Sequence, residues 1–160
     1  MKVKLIVVGK TDKTYLQEGI SIYHERISHY LPFEYRIIPD IKNTRRLPEE
    51  IQKEKEGELL LSQINPTDEI ILLDERGKEF KSPEFARFLE KKMLDGTKTL
   101  VFIIGGPYGF SKKLVDAATS KISLSRMTFS HQMVRLIFSE QLYRALTILK
   151  GEPYHHETSQ

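Results

Sequence analysis

The chain has 160 residues, of which 39% are hydrophobic and 29% are charged, a composition typical of one soluble globular domain. It contains no cysteine, which excludes disulfides, zinc–thiolate sites and thiol nucleophiles and fits a reducing cytoplasm. No apolar stretch is long enough for a signal peptide or a membrane span, so we expect a cytoplasmic protein. The formal net charge of +3 is compatible with a nucleic-acid partner but is weak evidence alone.

The first half of the chain alternates predicted strands and helices. Apolar alternation predicts strands at 1–9 and 33–38, and apolar residues three and four apart predict a helix at 15–30. A polar, basic loop is predicted at 40–47, where Lys42, Arg45 and Arg46 could contact RNA phosphates. A second helix is predicted from Pro48 to about residue 64, and its charged residues 53–56 are interpreted as a solvated surface.

The second half continues the same alternation. Strands are predicted at 70–73, 100–104 and 121–124. A capping Ser82, followed by Pro83 and an acid, predicts the start of a third helix, and Ser111 is predicted to cap a short fourth one. Strands that are continuously apolar and separated by helices indicate an α/β fold with a mostly parallel sheet flanked by helices.

The last helix is predicted to begin at Thr128 and to be apolar on nearly every side. A helix without a polar face must be buried, so we expect it to lie against a second copy of the chain in a homodimer. His131 and Arg135 are predicted to share one face, one turn apart. Glu140 and Arg144 have the same spacing and are predicted to form an ion pair at the subunit boundary.

Three strand ends are predicted to meet at one edge of the sheet, where open α/β sheets bind ligands. They follow Leu73, residue 104 and residue 123, and the second begins with the glycine turn at 105–109. Such loops suit a nucleoside pocket, although tight turns and ordinary connections have the same composition. The glycine spacing is that of neither a dinucleotide fingerprint nor a P-loop.

Two groups of polar residues are candidates for chemistry. His131 could act as a general base and Arg135 could bind a phosphate, or the two could form a buried structural pair. The C-terminal tail contains Tyr154 and His155, which are unusual in a disordered end. His155 and His156 have no acid or third histidine at suitable spacing, so we expect no metal site.

Four segments, which are specific only in combination, are residues 103–109, 123–131, 140–145 and 153–155. Together they closely resemble the ribosomal RNA large subunit methyltransferase H family. Residues 8–10 and 55–57 agree as well, so the resemblance covers the whole chain.

The resemblance implies a single SPOUT methyltransferase domain over residues 1–160, with a C-terminal trefoil knot and a homodimeric assembly. It implies transfer of a methyl group from S-adenosyl-L-methionine to N3 of a pseudouridine in 23S ribosomal RNA. With little net charge and no added RNA-binding domain, we expect recognition of the assembled ribosome rather than naked RNA.

Carried over from the family motifs, His131, Arg135, Tyr154 and His155 position the nucleoside or assist loss of its proton. The tail at 151–160 is expected to enter the site of the partner subunit. The residues expected to bind the cofactor are Leu73, Gly105, Leu124, Ser125, Arg126, Met127, Thr128 and Phe129.

Two positions depart from the family pattern. Ser130 replaces a common proline, which changes local stiffness, and His156 replaces a basic residue, which weakens any phosphate contact there. The competing interpretation is a nucleotide-binding or ribosome-associated module without catalysis. A hydrolase is disfavoured because no serine or cysteine nucleophile has a recognisable context.

Overall fold

A computed structural model describes residues 1–42 and 44–156, apart from the side chain of Thr44. Within these residues, five strands form one sheet in the order β2-β1-β4-β3-β5, and every neighbouring pair is parallel. The predicted α/β architecture with a parallel sheet is therefore confirmed. The strands are β1 (Lys2–Val8), β2 (Phe33–Ile38), β3 (Glu69–Glu79), β4 (Thr99–Ile104) and β5 (Ser120–Ser123).

Helices cover both faces of this sheet, which explains why the central strands are apolar throughout. One face packs against three helices, α1 (Thr14–Ser28), α3 (Ser82–Leu94) and α5 (Met133–Leu149). The other face packs against α2 (Glu49–Ser62) and the short α4 (Lys112–Ala117). Among the described residues, no helix is both long and apolar enough to cross a membrane.

Strand β3 differs from the prediction, which ended it at Leu73. The strand resumes at Lys78 after an irregularity, so that Leu73 and Lys78 both pair with Ile122 of β5. The intervening residues leave the ladder as a short loop at the sheet's carboxyl edge. Because this continuation is polar, the apolar pattern gave no sign of it.

The helix starts also required two corrections. The residue before α3 is Lys81 rather than Ser82, and the carboxylate of Glu84 accepts a hydrogen bond of 2.8 Å from the Lys81 amide. Helix α5 begins at Met133, five residues after the predicted start at Thr128. The segment before Met133 is instead an irregular loop that lines the candidate site.

Helices α2 and α4 approach each other closely at Gly57. A Cβ atom there would lie 2.1 Å from the hydroxyl oxygen of Ser111, which caps α4 through the amide of Leu114. Only glycine leaves room for this contact, which accounts for its place inside a helix. The capping role predicted for Ser111 is confirmed.

Candidate cofactor and substrate site

A cavity of about 590 Å³ opens at the carboxyl edge of the sheet, between the irregular loop at 74–77 within β3 and the loops that follow β4 and β5. This is where the predicted convergence of three strand ends placed a ligand site. Its volume lies within the usual range for small-molecule pockets. The cofactor residues predicted from the sequence that line it are Leu73, Gly105, Leu124, Ser125, Met127, Thr128 and Phe129.

Arg126 is the one predicted cofactor residue that does not line the cavity. Its side chain is 87% exposed and its Nε atom lies 2.7 Å from a carboxylate oxygen of Glu79. Its neighbours Ser125 and Met127 line the cavity, whereas Arg126 pairs with Glu79 outside it. A contact between Arg126 and a cofactor stays a prediction.

A buried carboxylate supports the glycine turn. Glu56 of α2 is 6% exposed, and its Oε1 atom accepts a hydrogen bond of 2.9 Å from the amide of Gly106. A Cβ atom on Gly106 would lie 2.6 Å from the same carboxylate, so glycine is required for the contact. Burial raises the pKa of Glu56, whereas the hydrogen bond from Gly106 lowers it.

This finding corrects the interpretation of residues 53–56 as a solvated surface. Glu54 and Lys55 are exposed, but Glu56 points inward and fixes one wall of the cavity. An alternating charge run does not reveal which member faces the core. The adjacent Gly57, which is needed for close packing of α2 on Ser111, was the sign in the sequence that this part of the helix is buried.

The loop after β5 is held by short side-chain contacts. The hydroxyl of Ser123 donates to the carbonyl of Ser125 over 2.8 Å, and the hydroxyl of Ser125 accepts from the amide of Met127 over 2.9 Å. The hydroxyl of Thr128 donates to the carboxylate of Glu75 in the β3 loop. Two of the three cavity loops are therefore joined to each other.

Ser130 sets where helix α5 begins. Its hydroxyl accepts a hydrogen bond of 3.0 Å from the amide of Met133, and its carbonyl accepts one from the amide of Val134. These contacts satisfy free amides of the first turn. His131 therefore precedes the helix. The prediction that His131 and Arg135 share one face of the helix is wrong.

His131 and Arg135 lie in different environments. His131 is exposed and lines the cavity. Arg135 is 1% exposed, and its guanidinium donates to the carbonyls of Val8, Gly9 and His131 over 2.7, 2.8 and 3.1 Å. Arg135 thus fastens the loop after β1 to the segment that carries His131.

Gln132 adds a second connection between these loops. Its amide group donates to the carbonyl of Lys10 over 3.1 Å and accepts from the amide of Asp12 over 3.0 Å. Together, Gln132 and Arg135 hold the loop after β1 against the start of α5. This network fixes the backbone of His131 through its carbonyl. Among the described residues, none forms a hydrogen bond with the imidazole ring of His131.

The C-terminal tail folds back onto the middle and the C-terminal half of α5. The hydroxyl of Tyr154 donates to Glu140 over 2.9 Å, and a nitrogen of Arg144 lies 3.2 Å from Nδ1 of His155. Glu140 and Arg144 lie 2.6 Å apart, which confirms their predicted ion pair. The ring of Tyr154 lies 4.7 Å from that of Tyr143. Tyr154 and His155 are thus ordered on the helix.

The four predicted nucleoside-site residues consequently form two separate groups within one chain. His131 and Arg135 lie at the start of α5, and Tyr154 and His155 lie near Arg144. The helix from Met133 to Arg144 spans about 16 Å at 1.5 Å per residue. Of these four residues, His131 lines the cavity of the single chain, and Arg135, Tyr154 and His155 do not. No three potential metal ligands cluster in this part of the chain.

Comparison with known proteins assigns the chain to a family. A family model described as "Predicted SPOUT methyltransferase" matches residues 1–155. A relative named ribosomal RNA large subunit methyltransferase H, from Parabacteroides distasonis, is 61% identical over 98% of this chain and 100% of its own length.

Relatives of the same name from other bacteria also match over nearly their full length. The Christiangramia forsetii protein is 58% identical over 98% of this chain and 99% of its own length. The Flavobacterium psychrophilum protein is 61% identical over 98% of this chain and 100% of its own length. With its cavity built from the motifs that suggested the resemblance, this chain belongs to the SPOUT methyltransferases and, within them, to the ribosomal RNA large subunit methyltransferase H family.

Proposed function

We propose that this protein transfers a methyl group from S-adenosyl-L-methionine to N3 of a pseudouridine in the 23S RNA of the assembled ribosome. The observation that carries the proposal is the cavity of about 590 Å³, formed by three loops at the carboxyl edge of a parallel sheet. Membership of the family and relatives named ribosomal RNA large subunit methyltransferase H support the same reaction.

The cavity lining fits S-adenosyl-L-methionine in its chemistry. Apolar side chains such as Leu73, Leu124 and Phe129 can enclose an adenine ring. The glycine turn leaves backbone groups accessible, because Gly105 and Gly106 carry no side chain. The carboxylate of Glu75, which also lines the cavity, favours a ligand with positive charge.

The reaction requires alignment more than covalent chemistry by the protein. When bound, S-adenosyl-L-methionine would supply an electrophilic methyl group for the new N3–carbon bond, with the electron pair of the carbon–sulfur bond left on sulfur. The proton on N3 must leave to free the attacking electron pair. The loops around the cavity, fixed by their hydrogen bonds, hold the two reactants in line.

A second copy of the chain would complete the site. For the tail of one subunit to reach the cavity of the other, the two α5 helices must pack antiparallel across a two-fold axis. The surface of α5 supports this arrangement: every residue from Met133 to Leu149 is at least half-buried, and half-buried apolar groups include Val134, Ile137 and Ile148. Contact with a partner would bury this strip.

Within such a composite site, Tyr154 serves as a hydrogen-bond donor. Burial, together with its contacts to Tyr23 and Glu140, raises the pKa of Tyr154 above its ordinary value. The phenol therefore keeps its proton at neutral pH and cannot accept one from N3. Of the proposed residues, His131 and His155 are left as proton acceptors, because arginine does not release its proton.

Three further features belong to the proposal. The chain forms one SPOUT domain whose C-terminal part is threaded as a trefoil knot. The homodimer works in the cytoplasm, where ribosomes are assembled. His156, which is exposed and does not line the cavity, contributes no phosphate contact, whereas Arg126 is kept as a proposed cofactor residue.

The test uses labelled S-adenosyl-L-methionine with three substrates from a strain that lacks the modification: naked 23S RNA, free large subunits and whole ribosomes. We expect label at one pseudouridine N3 in ribosomal particles and little in naked RNA. No transfer to any substrate would reject the proposal. Cofactor binding without transfer would favour the non-catalytic module, and transfer to naked RNA alone would reject recognition of the assembled particle.

A further inference from the structure

Two loops next to the cavity contain the whole net charge of the protein. Residues 9–13 and 39–47 include five basic and two acidic residues, a surplus of +3. The remaining 20 basic and 20 acidic residues (25 − 5 and 22 − 2) cancel each other. We call the five cations the basic rim: Lys10, Lys13, Lys42, Arg45 and Arg46.

The cations of the basic rim are available for a partner. All five are exposed, and among the described residues none of them forms an ion pair. Lys92 and Arg144, by comparison, each lie 2.6 Å from a carboxylate oxygen. The acid Asp40 is directed at Gly9, where a Cβ atom would lie 2.7 Å from both carboxylate oxygens.

The topology places the basic rim beside the cavity. The two loops follow β1 and β2, and β1 lies next to β4, whose carboxyl end carries the glycine turn. His131 lines the cavity, and the next residue, Gln132, donates a hydrogen bond to the carbonyl of Lys10. Because neighbouring strands are about 4.8 Å apart, the loops after β1 and β2 lie roughly 5 and 10 Å from the end of β4.

We propose that the basic rim binds the phosphodiester backbone of the RNA that flanks the target nucleoside. The inference rests on the proposed function, because it assumes that RNA approaches this cavity. Exposed, unpaired cations spread over two neighbouring loops fit an extended polyanion. A single phosphate ion would need converging, partly buried donors instead. The rim would therefore supply affinity and register while the cavity selects the nucleoside.

The test neutralises the rim in two double variants, R45Q/R46Q and K10Q/K13Q. We expect each to raise the KM for large subunits about tenfold at moderate salt, with kcat at saturation and the Kd for S-adenosyl-L-methionine unchanged. The dependence of log KM on log salt concentration should become shallower by roughly 0.7 for each phosphate that the variant no longer binds, the value for single strands.

A matched control removes two exposed cations elsewhere, in R87Q/K98Q, where Lys98 precedes β4 at the opposite edge of the sheet. We expect it to behave as the wild type. Rim variants that match this control, or that raise KM without changing the salt slope, would overturn phosphate binding. If the same variants bound a naked target-stem RNA normally at low salt, the rim would contact a ribosomal protein instead. Failure of the wild type to transfer methyl groups would reject the proposed function separately.

Discussion

Arg135 and Arg144 lie nine residues apart on helix α5, on opposite sides, and differ in every contact they make. Arg135 is 1% exposed and donates only to neutral oxygens, three of them backbone carbonyls. The side chain of Arg144 is 25% exposed and pairs with the carboxylate of Glu140. One arginine belongs to the architecture of its own chain, and the other anchors a tail.

The two arginines differ in how much free energy is lost when their contacts break. Losing Arg135 would leave several buried carbonyls without donors, because water cannot reach them. The partners of Arg144 are partly hydrated, so the tail can leave them at small cost and bind elsewhere. The cavity end of α5 is thus rigid, whereas the tail end is suited to contacts with a substrate and a second subunit.

Replacement of Arg135 by methionine should have the largest effect. The side chain is of similar length but donates no hydrogen bonds, so the carbonyls of Val8, Gly9 and His131 lose their partner. We expect the free energy of unfolding in urea, at fixed protein concentration, to fall by about 3 kcal/mol or more. Arg135→Lys, which keeps part of the donor set, should lose less. A change below about 1 kcal/mol for Arg135→Met would contradict a positioning role.

His24 gives the rigid end a pH dependence. Its Nε2 atom lies 2.8 Å from the hydroxyl of Ser139, which donates to the carbonyl of Arg135, and burial lowers the pKa of His24 to about 4. Because the unfolded imidazole titrates near 6.5, this stability is complete above pH 6.5 and is lost as the pH falls to about 4.

The corresponding prediction compares the wild type with His24→Gln, which keeps an N–H donor but does not titrate. Urea unfolding at pH 7 and pH 4 should show that the wild type loses about 3 kcal/mol more than the variant. Equal losses in the two proteins would mean that His24 is accessible to protons in the folded state.

At the tail end, Tyr154→Ala should act on turnover rather than on stability. The substitution removes the hydroxyl bonded to Glu140 and the ring packed on Tyr143. We expect kcat to fall about 100-fold through misplacement of the substrate, with an unchanged Kd for S-adenosyl-L-methionine. Tyr154→Phe, which keeps the ring, separates the contribution of the hydroxyl. Parallel loss of turnover and cofactor binding would rule out a role on the substrate side.

The smallest effect is expected at Ser130. Ser130→Pro removes the hydroxyl that accepts from the amide of Met133, at a cost of about 1 kcal/mol, but restricts the unfolded chain by a similar amount. The free energy of unfolding should stay within about 1 kcal/mol of the wild type, whereas Ser130→Ala should show the uncompensated loss. A larger loss in the proline variant than in the alanine variant would show that the loop conformation excludes proline.

The fold was predictable because its signals are local. Apolar periodicity located β2 at Phe33–Ile38 and indicated a parallel sheet, since buried strands separated by helices have few other solutions. The errors arose where tertiary contacts decide the structure. The pairing of Lys78 with Ile122 extended β3 through polar sequence, and contacts of Thr128 and Ser130 kept the segment before Met133 out of α5.

The residues that line the cavity could be predicted from the sequence, whereas most of the residues that hold its loops in place could not. Family motifs identified most of the lining, because those residues follow strand ends directly. The inward direction of Glu56 and the backbone contacts of Arg135 depend on residues distant in sequence, which spacing alone cannot show. Spacing also could not show that Tyr154 packs on the middle of α5 while His131 lies in the loop before that helix.

The most direct test of the account mixes two inactive variants to form heterodimers. One carries Tyr154→Ala with His155→Ala, and the other carries Gly105→Val, whose Cβ atom would lie 2.9 Å from the Phe110 ring at the cavity. A heterodimer then contains one site with an intact cavity and an intact tail from the other subunit. We predict methyl transfer to large subunits by the mixture and none by either variant alone. Heterodimers that form but remain inactive would contradict a site shared between two subunits.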